Sequence, residues 1–392
     1  MNQGPTLPSG LPNPDPEAQV HSNEVAAFLL RELAGYPDGF MPFEHWMDRA
    51  LYAPGLGYYA AGNTKFGSTL PTGDFTTAPE LTPLFGATLA RQCAPVLQAA
   101  HSTTVLEFGA GSGALAAALI PALRQLGIEP NYQILEVSAD LRQRQQERLA
   151  GLNAQIEWLN DWPARIWGCV IANEVLDAMP ATLFQWDSNG HLLELGVRAA
   201  GNAAAPAFEW ATRPASDELQ HLVSQRMPAL LGYQSEINLC AEAWIRQLGH
   251  HLEQGLALLI DYGFPQREYY HPQRAEGTLM CHFRHHAHAQ PLVFPGIQDI
   301  TTHVDFTAMA DAALESGLDV RGYTSQARFL LNAGLPALMS DPSFASDPQA
   351  LSAVQKLVSE AEMGELFKVL ALGRGVDIPL AGFMRGDRRD SL

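Results

Sequence analysis

The sequence predicts an α/β protein built on a parallel sheet, and three observations carry that expectation. From residue 104 onward, short apolar runs alternate with longer runs of helical period, a pattern that places helices on both faces of a parallel sheet. Residues Thr103-Thr-Val-Leu-Glu-Phe-Gly-Ala-Gly-Ser-Gly113 run from a strand through three alternate glycines into the helix former Ala114-Leu-Ala-Ala-Ala-Leu-Ile120. A strand, a glycine turn and a helix N-terminus in that order make a nucleotide-sized pocket at the carboxyl edge of such a sheet. The 392 residues are 47% apolar and 17% charged, which suits a globular chain with a large core and an additional lobe or insertion.

The elements follow in order. Residues 1–20, rich in Pro, Gly and Asn, read as a disordered tail. Glu24–Leu33 and Pro42–Leu51 carry apolar residues at helical spacing. Residues 53–79 contain too many Gly, Pro and Thr for regular structure, and the aromatics Tyr58, Tyr59, Phe66 and Phe75 favour an ordered, functional loop. A helix over about 79–97 leads into the glycine motif. The expected strands are 104–108, 132–137, 155–159, 169–173, 256–262, 319–323 and 367–372, with helices over 114–126, 139–150, 240–253, 305–316 and 348–360.

Between 181 and 235 the alternation stops. Short amphipathic strands at 182–186 and 192–198 indicate an inserted α+β subdomain, and 263–300 reads as irregular. The expected organisation is a tail (1–20), N-terminal helices with a covering loop (21–100), a core (101–180 and 236–378), a substrate- or partner-binding insertion (181–235) and a C-terminal tail (379–392).

Composition narrows the function classes. A formal charge of −18 opposes general nucleic-acid affinity, which needs clustered Lys and Arg. Cys93, Cys169, Cys240 and Cys281 are scattered without CxxC spacing, so neither a zinc site nor a disulfide framework is expected. No apolar run approaches a membrane span, and the first cation is Arg31, so no targeting segment is read and a cytoplasmic location is expected. The run His282-Phe-Arg-His-His-Ala-His288 invites a metal reading, but its ligands crowd together and a solvated or substrate-facing loop is expected; no metal is assigned.

Gly109, Gly111 and Gly113 also satisfy a dinucleotide fingerprint, so the glycines alone do not choose the nucleotide. The surrounding acids favour a sulfonium cofactor, S-adenosylmethionine, over a dinucleotide. Glu107, two residues before the first glycine, would repel a pyrophosphate and could hold an ammonium group. Glu136 ends the next strand, where a carboxylate accepts from both ribose hydroxyls in either cofactor class. Asp161 and Trp162 follow the third strand, where a polar side chain and a flat ring can read an adenine. Asn173 and Glu174 follow the fourth strand, at the sheet edge that should face the methyl acceptor.

At these residues the chain resembles a known family. Leu106-Glu-Phe-Gly-Ala-Gly-Ser-Gly113, Gln133-Ile-Leu-Glu-Val-Ser138, Ala172-Asn-Glu-Val-Leu-Asp-Ala-Met-Pro180 and Leu259-Ile-Asp-Tyr-Gly-Phe264 are similar to motifs of the MidA family. The likeness extends to Tyr52-Ala-Pro-Gly-Leu-Gly-Tyr-Tyr59, Gly73-Asp-Phe-Thr-Thr-Ala-Pro-Glu80, Gly277-Thr-Leu-Met-Cys-His282 and Gln298-Asp-Ile-Thr-Thr-His-Val-Asp-Phe306. The resemblance implies a class I S-adenosylmethionine-dependent methyltransferase with a Rossmann-like seven-stranded sheet. It further implies an arginine acceptor on a partner protein, as in the mitochondrial relative that assists respiratory complex I assembly. It also places Thr77 and Pro79, flanked by Asp74 and Glu80, on a loop close to the cofactor.

For a guanidinium acceptor, carboxylates that hold it by paired hydrogen bonds would orient it and polarise the attacking nitrogen. Glu174 is the first candidate for that role, Asp177 the second, and Asp261, at the end of the fifth strand, a supporting third. The paired-glutamate hairpin of familiar arginine methyltransferases is not evident, so either these acids build an equivalent or the acceptor differs. The competing readings are a small-molecule methyltransferase and a cofactor-binding assembly chaperone without turnover. A protein substrate is expected; the oligomeric state is open, a homodimer being one option.

Overall fold

The computed structural model describes residues 10–61, 77–202, 205–341, 344 and 347–392. Residues 1–9 of the expected tail, and Phe66, Asp74 and Phe75 of the expected loop, lie outside the described residues. The chain divides into two compact units, one of Met1–Phe75, Ala178–Ala241 and Gln266–His303, the other of Thr76–Asp177, Glu242–Pro265 and Val304–Leu392.

The second unit is a mixed α/β layer structure with a mostly parallel central sheet. Its strands run in the order Asp319–Ser325, Phe367–Arg374, Leu252–Phe264, Ile166–Asn173, Thr104–Phe108, Asn131–Leu135, Ile156–Leu159, with the short Val304–Asp305 paired to the end of Leu252–Phe264. The five from Leu252–Phe264 to Ile156–Leu159 are parallel. Phe367–Arg374 runs antiparallel to both of its neighbours. The expected parallel sheet is therefore found with an antiparallel end. The last strand inserts between the two before it, and burial on both faces (seven of its eight residues are buried) says nothing about direction.

Helices Pro83–Ala99 and Ala114–Gln125 cover one face, and Leu89, Leu119, Val105, Ile134, Leu258 and Val369 are among the fully buried residues of the resulting core. The single helix expected over 79–97 is two, Ala78–Leu81 and Pro83–Ala99. Thr82 breaks it: the residue before a proline is pushed to extended backbone, and the Thr82 hydroxyl then caps the second helix by accepting from the Leu84 amide at 3.3 Å. The C-terminal residues expected as a tail are packed. The Arg388 amide donates to the Tyr323 carbonyl at 2.6 Å, and Asp387 accepts from the Tyr323 amide, so this segment covers the edge strand Asp319–Ser325.

The first unit holds an antiparallel sheet in the order Met41–Pro42, Leu192–Asn202, Thr182–Trp186, Gln234–Ile237, with Ala205–Pro214 also paired to Leu192–Asn202. Helices Pro16–Leu33 and Phe43–Tyr52 join it in a core that includes Leu29, Trp46, Met47, Leu183 and Val197. Residues 16–20, expected as disordered, begin the first helix. Asp15 caps it by accepting from the Ala18 amide at 2.8 Å, and Pro16 occupies the first turn, a start signal that outweighs a Pro-rich composition.

The stretch 263–300, expected as irregular, contains the helix Gln266–Tyr269 and a three-stranded sheet of Met280–Phe283, His286–His288 and Asp299–Thr301. Strands of three or four residues are too short to show an alternation. The histidine run is the hairpin of that sheet, and Arg284 and His285 at its turn both have positive φ (49° and 65°). Among the described residues no three His, Cys, Asp or Glu side chains converge as metal ligands, and no helix is long and apolar enough to cross a membrane.

Candidate cofactor and acceptor site

The strand order reverses between Thr104–Phe108 and Ile166–Asn173: from the former the chain steps outward to one side, then returns to pair on the other. Open α/β sheets bind ligands beyond the carboxyl ends of the strands at such a point. Gly109, Gly111 and Gly113 lie here and all have positive φ (61°, 54° and 82°). A side chain at Gly113 would meet Gln145 in ordinary contact, its Cα lying 3.5 Å from the position of an added Cβ, so the left-handed backbone is what requires glycine there. Gly111 faces open space, with nothing within 4 Å of that position.

Two buried carboxylates flank the turn. Glu107, 3% exposed, accepts from the Tyr132 hydroxyl at 2.6 Å. Burial pushes its pKa up to about 7, against the lowering effect of that hydrogen bond and with a further push from the Glu136 charge. Glu136 accepts from the Ser138 amide at 3.0 Å and the Gln145 side-chain amide at 3.1 Å. Its pKa is also raised, burial outweighing the hydrogen bonds.

Asn173 donates from Nδ2 to Glu174 Oε1 at 3.0 Å, and its buried Oδ1 accepts no hydrogen bond among the described residues. Glu174 is half-buried and takes left-handed backbone, φ 54°, with its amide donating to the Ile260 carbonyl at 2.9 Å. A non-glycine residue there is an observed strain at a sheet edge. Asp261 holds the turn that imposes it. At 1% exposure its Oδ2 accepts from the amides of Leu176 and Asp177 at 3.0 and 3.3 Å. Asp177, also buried, accepts from the Tyr262 hydroxyl at 2.5 Å. Burial first, then the charges of Asp177 and Glu174, raise the Asp261 pKa well above the usual carboxylate range. The three predicted acids thus stand within electrostatic reach of one another, two of them committed to holding the turn.

The remaining predicted residues have different surroundings. Thr77 precedes the one-turn helix Ala78–Leu81 that contains Pro79. Glu80 of that helix bonds the Ser112 hydroxyl and pairs with Arg148 at 2.8 Å, tying this segment to the glycine turn. Asp161 is exposed and accepts from the Trp162 amide at 2.7 Å. The Trp162 ring packs in an aromatic cluster with Phe108, Trp244 and His251, at centroid distances of 4.6, 5.3 and 5.2 Å.

Sequence reasoning missed Gln145, Ser112 and Arg148. The signal for Gln145 was present: it occupies the apolar register between Leu141 and Leu149 on the helix Ala139–Leu149, where a buried polar residue calls for an explanation.

The donor set fits S-adenosylmethionine. Acceptor groups (Glu107, Glu136 and Asn173 Oδ1) surround the turn, matching an ammonium and ribose hydroxyls, while nearby Arg142 donates to Asn160 Oδ1 and to the carbonyls of Glu136 and Leu159. A pyrophosphate would meet the wrong charge.

Comparisons with known proteins agree. The profile of the family described as "putative S-adenosyl-L-methionine-dependent methyltransferase" matches residues 88–324. A crystal structure of a candidate methyl transferase from Burkholderia thailandensis, bound to S-adenosyl-homocysteine, is 48% identical with a TM-score of 0.90, covering 98% of this chain and 100% of that one. Protein arginine methyltransferase NDUFAF7, mitochondrial, from Danio rerio is 27% identical over 400 residues, 90% of this chain and 88% of that protein. Its Drosophila melanogaster homolog is 25% identical over 95% of this chain and 92% of its own. The chain belongs to the MidA-like family of S-adenosylmethionine-dependent methyltransferases.

Proposed function

We propose that this methyltransferase acts on an arginine of a partner protein, with Glu174 holding the guanidinium. The observation that supports the acceptor most directly is the group of three carboxylates at the carboxyl edge of the sheet, Glu174 and Asp177 just past the strand Ile166–Asn173 and Asp261 near the end of Leu252–Phe264. Carboxyl groups gathered at the edge where the methyl group is expected, with the half-buried Glu174 among them, suit a cation that stays protonated in water. The names of the mitochondrial relatives support the same acceptor.

The roles divide by burial. Asp261 positions the turn through two amides, Asp177 is oriented by Tyr262, and Glu174, half-buried, meets the acceptor. When bound, S-adenosylmethionine supplies an electrophilic methyl group. The protein's part is to align the guanidinium nitrogen, exclude water and receive the proton that methylation releases. Glu107 and Asn173 hold the amino-acid end, Glu136 the ribose, and Asp161 and Trp162 the adenine. Thr77 and Pro79 cover the site from the segment that Glu80 ties to the turn. The helices before residue 60 and the strands of 181–235 supply the partner-binding surface.

The test is methyl-arginine mass spectrometry of cell protein with and without the enzyme. A site methylated by the wild type and lost with Glu174→Gln supports the reading. Methyl transfer to lysine, or only to low-mass products, refutes it.

A further inference from the structure

Gln145 is a fully buried polar residue, 0% exposed, on the helix Ala139–Leu149. Every polar group of its side chain is used. Oε1 accepts from the Trp158 indole at 3.0 Å, and Nε2 donates to the Gly111 carbonyl at 2.9 Å and to Glu136 Oε2 at 3.1 Å. An indole N–H can only donate, so the amide oxygen must face Trp158 and both amide hydrogens must face the glycine turn and Glu136. The Gly111 carbonyl is available to Gln145 in a turn whose backbone is left-handed at that residue.

The consequence falls on Glu136. Each of its two oxygens has a partner, Oε1 the Ser138 amide and Oε2 the Gln145 side chain, with backbone hydrogen bonds from Gly111 and Val137 besides, and Gln145 is the one side chain among these partners that restrains its rotation. A vicinal diol needs two acceptors in fixed directions at once, and a carboxylate free to turn would satisfy one hydroxyl at the expense of the other. An apolar residue at 145 would continue the register of Leu141 and Leu149 without the cost of burying an amide.

We propose that Gln145 is a positioning residue for cofactor recognition, fixing the Glu136 carboxylate against the glycine turn in the orientation that takes the ribose hydroxyls. The proposal rests on the reading of Glu136 as the ribose acid. Affinities of S-adenosylhomocysteine and its 2′,3′-dideoxy analogue, measured by calorimetry on the full chain, test both. The wild type should prefer the hydroxylated ligand by roughly 100-fold, the worth of two hydrogen bonds to a charged acceptor. Glu136→Ala should erase that preference. Gln145→Met, of similar volume, should cut it to about 10-fold or less while affinity for the dideoxy ligand stays within about threefold.

Equal losses on both ligands, or an unchanged preference, overturn the proposal for Gln145 while Glu136→Ala still upholds the ribose reading. A wild type without preference, or a Glu136→Ala variant that keeps it, overturns the ribose reading and the proposal together. Should Gln145→Met fail to fold, Trp158→Phe frees the amide oxygen and must lower the preference selectively; an unchanged preference overturns the proposal.

Discussion

Cofactor affinity should depend on pH through Glu107, and the size of the effect follows from its surroundings. The side chain is buried with the Tyr132 hydroxyl as its hydrogen-bond donor and the Glu136 charge nearby, and its pKa stands at about 7. With Glu107 as the proposed partner of the ligand's ammonium group, only the ionised form attracts it, so the free enzyme must first lose a proton below that pH. From about pH 7.5 to about pH 5.5 the ionised fraction falls from roughly three-quarters to roughly one-thirtieth, which weakens affinity about 25-fold. Above about pH 8 the affinity should level off. Calorimetry with S-adenosylhomocysteine across this range measures it directly, and binding in buffers of different ionisation enthalpy should show uptake of a proton by the buffer. Glu107→Gln should bind more weakly at neutral pH and lose the dependence.

The unliganded protein should show the opposite trend. The folded pKa lies above the unfolded value of 4.5, so the benefit of burying the neutral acid is complete below about pH 4.5 and lost as pH rises through 7. The shift corresponds to about 3 kcal/mol of stability, and Glu107→Gln should remove that slope from the thermal melts. An affinity that is flat, or that strengthens toward acid, refutes the reasoning.

Other substitutions separate positioning from chemistry. Glu174→Gly removes a side chain from left-handed backbone, so thermal stability should hold or rise by up to about 1 kcal/mol while methyl transfer is lost; a clear fall in Tm would show that the backbone there is not strained. Asp261→Ala leaves the Leu176 and Asp177 amides without their acceptor and should cost about 2–4 kcal/mol in denaturant unfolding, whereas Asp261→Asn, which keeps an acceptor oxygen, should cost less than half of that. Gly113→Ala should lose about 1–2 kcal/mol, because it puts a Cβ on left-handed backbone beside Gln145. An equally stable variant would show that the turn can relax.

The division between what could and could not be read in the sequence has a physical pattern. The core strands were legible because buried parallel strands are continuous apolar runs, and Thr104–Phe108 leads straight into glycines that only left-handed backbone explains. The acids at the strand ends were legible for the same reason: Glu107, Glu136, Glu174 and Asp261 interrupt apolar runs where no core residue should be charged. Direction was not legible, since Phe367–Arg374 is buried on both faces whichever way it runs. Nor were the partners that give each acid its properties. Tyr132 and Glu107 are 25 residues apart and Gln145 and Gly111 are 34 apart, joined only when the strands Thr104–Phe108 and Asn131–Leu135 pair and the helix Ala139–Leu149 lies over the turn. Sequence position identifies which groups carry charge. The fold decides which carboxyl has its pKa raised by burial, which is pinned to the backbone and which is left half-buried, and this sheet edge sorts like acids into unlike surroundings.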